Sequence, residues 1–234
     1  MKLGILETDR LEQSLQKKYG TYSEMFQKLL SPLDNQLVFQ VYDTMRFEYP
    51  ENRDDSDAYL ITGSKASPYQ DKAWIRRLEK EIQILHANKK KLIGICFGHQ
   101  LIAQALGGAV QKSDLGWGVG LSTQHWFQKK DWMGDTEETF KILVSHQDQV
   151  THIPPGAECL AGNDFCPKAS FQMGQHILTF QGHPEFQPAY LRHLITGRRE
   201  IIGVSRAEQA LQSLHVPNDH TQIARWILAF LKAG

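Results

Sequence analysis

Short apolar runs alternate with longer amphipathic stretches through the first half of the chain. Leu3–Leu6, Leu37–Tyr42, Ala58–Thr62 and Leu92–Cys96 hold four to six residues each between polar or turn-forming neighbours, the length of a strand. Between them, Leu11–Leu30 repeats apolar residues at helical spacing (Leu11, Leu15, Tyr19, Tyr22, Met25, Phe26, Leu29). Trp74–Leu85 likewise sets Trp74, Leu78, Ile82 and Leu85 on one stripe. Strands that alternate with helices predict a parallel sheet covered on both faces. After Gly107-Gly108 the pattern changes, because Val119–Phe127, Thr139–Val144 and Ile177–Phe180 follow one another without long helices and predict antiparallel additions. Helical spacing returns in Pro188–Glu200, Arg206–Leu214 and Gln222–Lys232. The polar segments Glu51–Asp57 and Gln128–Glu138 are expected as surface loops. The pattern as a whole predicts one α/β domain over residues 1–234, with a mostly parallel, mixed central sheet and helices on both faces.

Composition narrows the function classes. Lys and Arg together number 26 and balance 26 Asp and Glu, so no global positive field exists to hold nucleic acid or an anionic membrane. The longest apolar runs, such as Leu92–Cys96 and Trp226–Leu231, fall far short of the roughly 20 residues a membrane span requires. Met1–Leu6 is too short an apolar run for the core of a signal peptide, so a cytoplasmic setting is expected. Three cysteines, Cys96, Cys159 and Cys166, with no Cys-x-x-Cys pair, predict reduced thiols. They predict neither a disulfide framework nor a zinc site, and Cys96-x-x-His99 has no second ligand pair to complete one.

The chemistry concentrates in Lys91–Gln100. An apolar strand runs into Gly94-x-Cys96-x-Gly98 and then into a helical pattern, which describes a nucleophile elbow with sulfur in place of oxygen. Glycines on either side let the chain pass close to its neighbours, and a sulfur at a helix N-terminus meets free N–H groups and a positive dipole end that favour the thiolate. Against this stands the plain reading of Cys96 as a small buried hydrophobe. A thiolate nucleophile also needs a base and an orienting acid, usually distant in sequence. His183-Pro184-Glu185 fits, because in an extended segment residues two apart point the same way and Glu185 can fix the His183 ring.

With these two motifs in order, the chain resembles the class I (triad) glutamine amidotransferases, whose elbow reads Gly-x-Cys-x-Gly-x-Gln and whose second motif reads His-Pro-Glu. Ile61-Thr62-Gly63-Ser64 resembles the family's oxyanion loop, and Val144-Ser145-His146-Gln147-Asp148 its Ser-His-x-Asp segment. Tyr19-Gly20-Thr21-Tyr22, Ser67-Pro68-Tyr69 and Gln181–Phe186 look most like its free-standing, GMP-synthetase-like branch, which includes gamma-glutamyl peptidases. The resemblance implies a flavodoxin-like fold and a Cys96-His183-Glu185 triad. It implies an oxyanion hole from the Gly63 and Phe97 N–H groups, and substrate contacts from Gln100, Ser145 and His146. Gly63 carries its own expectation: a residue without Cβ lets its loop come close to the substrate carbonyl. Trp117, Trp126 and Trp132 are expected in core or loop packing, the alternative being the rim of a pocket or a partner surface.

Two chemistries share this triad. One is a glutamine amidotransferase or glutaminase that releases ammonia through a glutamyl thioester, with or without a synthetase as ammonia acceptor. The other is hydrolysis of gamma-glutamyl peptides or amides. They differ in the leaving group, so a pocket closed beyond the amide nitrogen favours the first and an open one the second. No phosphate-binding loop for ATP occurs in the sequence, and Thr62-Gly63-Ser64-Lys65 departs from the Gly-Gly-Pro loop of the synthetases. A binding protein on the same scaffold is the third reading, against which the complete triad weighs. Neither metal nor organic cofactor is required by thiolate chemistry.

Overall fold

A computed structural model of the chain describes residues 1–233. The chain enters through β1 (Lys2–Glu7), passes α1 (Gln13–Tyr19) and α2 (Tyr22–Leu30), and forms β2 (Val38–Asp43) and β3 (Ala58–Ile61). The helical pattern of Leu11–Leu30 is thus two helices. Gly20 breaks it with φ +88°, and Thr21 restarts it by a reciprocal cap in which its side chain accepts from Glu24 N–H while Glu24 accepts from Thr21 N–H. Next come α3 (Ala73–Ala87), β4 (Lys91–Ile95) and α4 (Phe97–Ala105).

The second half is strand-rich: β5 (Ala109–Lys112), β6 (Gly118–Trp126), β7 (Thr139–His146), β8 (Asp148–His152), β9 (Ala157–Gly162), β10 (Ser170–Met173) and β11 (Ile177–Phe180). Four C-terminal helices follow, α5 (Pro188–Gly197), the single turn α6 (Arg199–Ile202), α7 (Val204–Ser213) and α8 (His220–Lys232).

Nine strands form one sheet in the order β2-β1-β3-β4-β11-β10-β9-β6-β7. The first five run parallel, and the pairs from β11 to β7 are antiparallel, which is the mixed sheet the pattern predicts. Alternate residues face opposite layers. Leu3, Ile5, Ile93, Ile95, Leu178 and Phe180 pack under α2 and α8 on one face. On the other, Tyr59, Ile61, Leu92 and Ile177 pack under α3 and α4. A third apolar cluster joins α2, α5 and α7 through Tyr22, Met25, Phe186, Tyr190 and Ala207.

Gln128–Glu138 is the expected surface loop, anchored to the core at one point. Its short turn Asp131–Met133 buries Met133, whose carbonyl accepts from the Trp226 indole N–H at 3.2 Å, and Trp132 packs edge-on to Phe230. Trp126 lies in the same layer against Phe140 and Trp226, as its expected core role requires. No helix among the described residues is long and apolar enough to cross a membrane.

Candidate active site

Three adjacent parallel strands deliver the site. β3, β4 and β11 are consecutive neighbours, with Ile61 paired to Gly94 and Phe180 to Ile95. Gly63 lies two residues beyond β3, Cys96 one beyond β4 and His183 three beyond β11, so register alone brings the three segments to one C-terminal edge. Open α/β sheets place ligands there.

Cys96 sits at the junction of β4 and α4 with φ 51° and ψ −100°, a conformation that residues with a Cβ seldom adopt and that costs about 1–3 kcal/mol. The strain is held by Cys96 N–H donating to Phe180 O at 2.8 Å and by Gln100 N–H donating to Cys96 O at 3.0 Å. Gly94 and Gly98 interlock below it. A Cβ on Gly98 would stand 2.5 Å from Ile61 O, and one on Gly94 2.8 Å from the Gly98 carbonyl carbon. Both glycines of the elbow therefore serve close packing between β3, β4 and α4.

His183 is buried, and its ring is held on several sides. Nδ1–H donates to Glu185 Oε1 at 2.8 Å, Phe186 stacks on the ring at 3.8 Å between centroids, and the backbone N–H donates to Leu143 O at 2.8 Å. Burial by itself would lower the His183 pKa. The Glu185 carboxylate and the Cys96 sulfur overturn that effect and hold it well above the ordinary imidazole range.

Gly63 meets the same ring: a Cβ built there would lie 2.7 Å from His183 Cε1 and 3.6 Å from Cys96 Cβ. The glycine hydrogen thus faces the histidine and the cysteine. Its carbonyl is fixed from behind by the buried Thr8 hydroxyl, which donates at 2.9 Å and also contacts Thr62.

Above these residues opens a cavity of about 470 Å³. Cys96 and His183 contribute to it, with Gln100, Ser145 and His146 from the expected set. Gln100 uses its amide nitrogen on Asp148 O (2.8 Å) and Gln181 Oε1 (3.0 Å), so its carbonyl oxygen remains as an acceptor. Ser145 and His146 end β7. Burial pushes the His146 pKa down to about 4, and its neutral ring donates Nδ1–H to Asp148 O at 3.1 Å. His99, by contrast, is a wholly buried residue of α4 itself and pairs through Nδ1 with the Thr179 hydroxyl of β11 at 2.8 Å.

The family model for class I glutamine amidotransferases matches residues 18–196. The chain belongs to this family. It is 31% identical over 188 residues to gamma-glutamyl peptidase 3 of Arabidopsis thaliana, covering 77% of this chain and 75% of that protein. It is also 33% identical over 127 residues to a glutamine-hydrolyzing GMP synthase of Trichormus variabilis, covering 54% of this chain and 22% of the synthase. Among solved structures, a glutamine amidotransferase from Thermotoga maritima superposes with a TM-score of 0.76 at 15% identity, covering 98% of this chain and 96% of that one, a likeness of fold.

Within this class I scaffold several cavity residues belong to segments the sequence singled out, but their contacts had no signal there. Tyr22 stacks on Phe186, and its hydroxyl meets that of Tyr190 at 3.0 Å, so an aromatic group backs His183. Asp148 accepts from Ser67 Oγ at 2.5 Å and from Tyr69 Oη at 2.7 Å, strapping the loop after β3 across to β8. Trp117 lines the cavity, unlike Trp126 and Trp132, with the Arg198 guanidinium 5.9 Å from its ring. Trp117 packs against the third apolar cluster from the segment between β5 and β6 and also borders the cavity, so the expected loop packing and the alternative of a pocket rim meet in this one residue. None of these contacts follows a spacing rule; they arise where loops of distant strands meet.

Proposed function

We propose that the chain hydrolyses the gamma-amide bond of glutamyl compounds with Cys96 as nucleophile, His183 as general acid and base, and Glu185 as the residue that orients His183. The observation that carries this reading is the strained Cys96 at the head of α4, facing a buried imidazole that is locked onto a carboxylate. The thiolate sulfur attacks the amide carbonyl carbon. As the tetrahedral intermediate collapses the C–N bond breaks, and the proton on His183 goes to the departing nitrogen. Water, losing its proton to His183, then attacks the thioester and releases glutamate and the free thiol. N–H groups of Phe97 and of the Gly63 loop stabilise the tetrahedral oxyanion, where each donor is worth about 10²–10³ in rate. Gln100, with its free acceptor oxygen, takes the substrate ammonium, while Ser145 and His146 flank the amino-acid end.

Glutamine is the smallest substrate of this class. A cavity of about 470 Å³ falls in the range that holds drug-sized ligands, and it favours a larger leaving group, as in gamma-glutamyl peptides. The similarity to gamma-glutamyl peptidases supports the same choice. A second reading, a glutaminase or amidotransferase that passes ammonia to a separate synthetase, draws on the match to GMP synthase. A reducing, cytoplasmic setting suits the three free cysteines.

Glutamate release from L-glutamine and from a panel of gamma-glutamyl dipeptides, with Cys96→Ala as control, tests the proposal. Peptide turnover above glutamine turnover, lost in Cys96→Ala, is the expected result. Preference for glutamine selects the glutaminase reading, and equal activity of Cys96→Ala refutes both.

A further inference from the structure

The cavity holds more positive charge than glutamine can use. Lys65, Lys112 and Arg198 line it. Lys65 is paired with Asp9 at 3.3 Å. Among the described residues, Arg198 and Lys112 have no carboxylate within ion-pair distance. Lys112 stands directly across the β5–β8 pair from Asp148, the partner expected for it. The Asp148 carboxylate instead takes the Ser67 and Tyr69 hydroxyls, one on each oxygen, which turns it toward the loop after β3. Two cations are therefore left facing one cavity.

Their settings differ. Arg198 is half-buried, braced by the Trp117 ring and within 3.5 Å of Ser145 Oγ. It stands beside the segment that receives the amino-acid end of the glutamyl group under the function proposed above, and so matches the glutamyl α-carboxylate common to every substrate. Lys112 is exposed at the end of β5. Glutamine, with a single carboxylate, gives Lys112 nothing to bind, whereas a gamma-glutamyl peptide carries a second carboxylate on its leaving group. Charge complementarity of this kind sets specificity more than raw affinity.

We infer that Lys112 is the specificity-determining residue that reads the free carboxylate of the leaving amino acid or peptide, making anionic gamma-glutamyl peptides the preferred substrates. The inference rests on the gamma-glutamyl hydrolase reading, and its test separates the two. Wild-type protein, Lys112→Met and Lys112→Arg are compared on gamma-glutamyl-alanine, on the same compound with its carboxylate converted to an amide, and on L-glutamine.

Wild type should favour gamma-glutamyl-alanine over its amide about tenfold in kcat/KM, through KM. Lys112→Met should bring that ratio close to one, and Lys112→Arg should restore it. Arg198→Lys should raise KM for all three compounds alike. Calorimetric titration of Cys96→Ala, with and without Lys112→Met, should show the same difference as binding constants without turnover. A ratio near one in wild type, or one that persists in Lys112→Met, overturns the inference and leaves the hydrolase reading standing. Absence of turnover and of binding for every compound overturns both.

Discussion

Replacing Gly63 by alanine separates two reasons for a glycine at that position. If the residue were only a turn glycine that presents its N–H to a substrate, alanine would keep both the N–H and the backbone, since Gly63 is not among the residues with positive φ. The structure gives a different reason. The new Cβ would stand 2.7 Å from His183 Cε1, while carbon atoms settle at about 3.5–4.0 Å, so the ring must retreat by roughly 1 Å. It has little room to do so, being stacked on Phe186 at 3.8 Å and tied to Glu185 at 2.8 Å. A misplacement of about 1 Å in a reacting group costs about 10²-fold in rate. Overpacking of this kind also costs about 1–3 kcal/mol of stability, or a few degrees in Tm for a chain of this size. Steady-state glutamate release should therefore show kcat reduced about a hundredfold with KM nearly unchanged. A variant that keeps more than a third of wild-type kcat would refute the argument that Gly63 exists to seat His183.

Three other perturbations have definite expected outcomes. Glu185→Gln keeps the shape but removes the carboxylate that raises the His183 pKa, so that pKa should fall and kcat/KM should drop by about 10²–10⁴; an unchanged pH–rate profile would contradict the assigned role. Glu81 is buried on α3 and receives Arg53 at 2.7 and 2.9 Å and Arg77 at 2.9 Å, so Glu81→Ala should cost about 2–3 kcal/mol in urea unfolding. Burial would raise the Glu81 pKa, yet the two guanidinium groups hold it below the usual range; its contribution is present above about pH 4.3 and fades as the pH falls further. Burial also lowers the pKa of His176 and His146 to about 4 and of His99 to about 3, so these rings are neutral in the native state and protonate first in the unfolded chain. Their contribution to stability should be full above about pH 6.5 and decline toward pH 4, seen as a falling urea midpoint, and a flat midpoint over that window would contradict it.

What the sequence discloses follows from how locally each feature is encoded. β1, β3 and β4 are short, largely apolar runs buried on both sides, and they are legible because a run of that length between polar or turn-forming neighbours suits a strand and is too short for a helix. The elbow is legible for a similar reason: Gly94, Cys96 and Gly98 lie within five residues and answer to one steric demand. β5, β8, β9 and β10 are not, since their exposed or polar members, such as Gln111, Lys112 and Glu158, break the alternation and their partners are set by tertiary pairing. The same holds for the site. His183 and Glu185 can be linked from their spacing, but Tyr22, Asp148 and Arg198 reach the cavity from α2, the start of β8 and the end of α5, and no periodicity records that meeting. Gly63 was legible as a residue and not as a reason, because the atom that excludes its Cβ belongs to a histidine 120 positions away.

This division has a functional consequence. The groups assigned to bond making, Cys96, His183 and the Gly63 loop, hang on β3, β4 and β11, where strand register and core packing fix them against one another. The groups assigned to substrate binding, Lys112 and Arg198 with its Trp117 brace, sit on a two-stranded side sheet, a helix end and a connecting loop, outside that register. A substitution in the second set moves no strand of the first, since Lys112 is exposed and Arg198 caps a helix whose core contacts lie at Tyr190, Leu191 and Ile195. Under the proposed function, selectivity between glutamine and larger glutamyl compounds can therefore change while the thiolate chemistry proposed for Cys96 stays the same. That is the physical basis on which one scaffold can serve both an ammonia-releasing enzyme and a peptidase, and it makes the size and charge of the leaving group the property that distinguishes them.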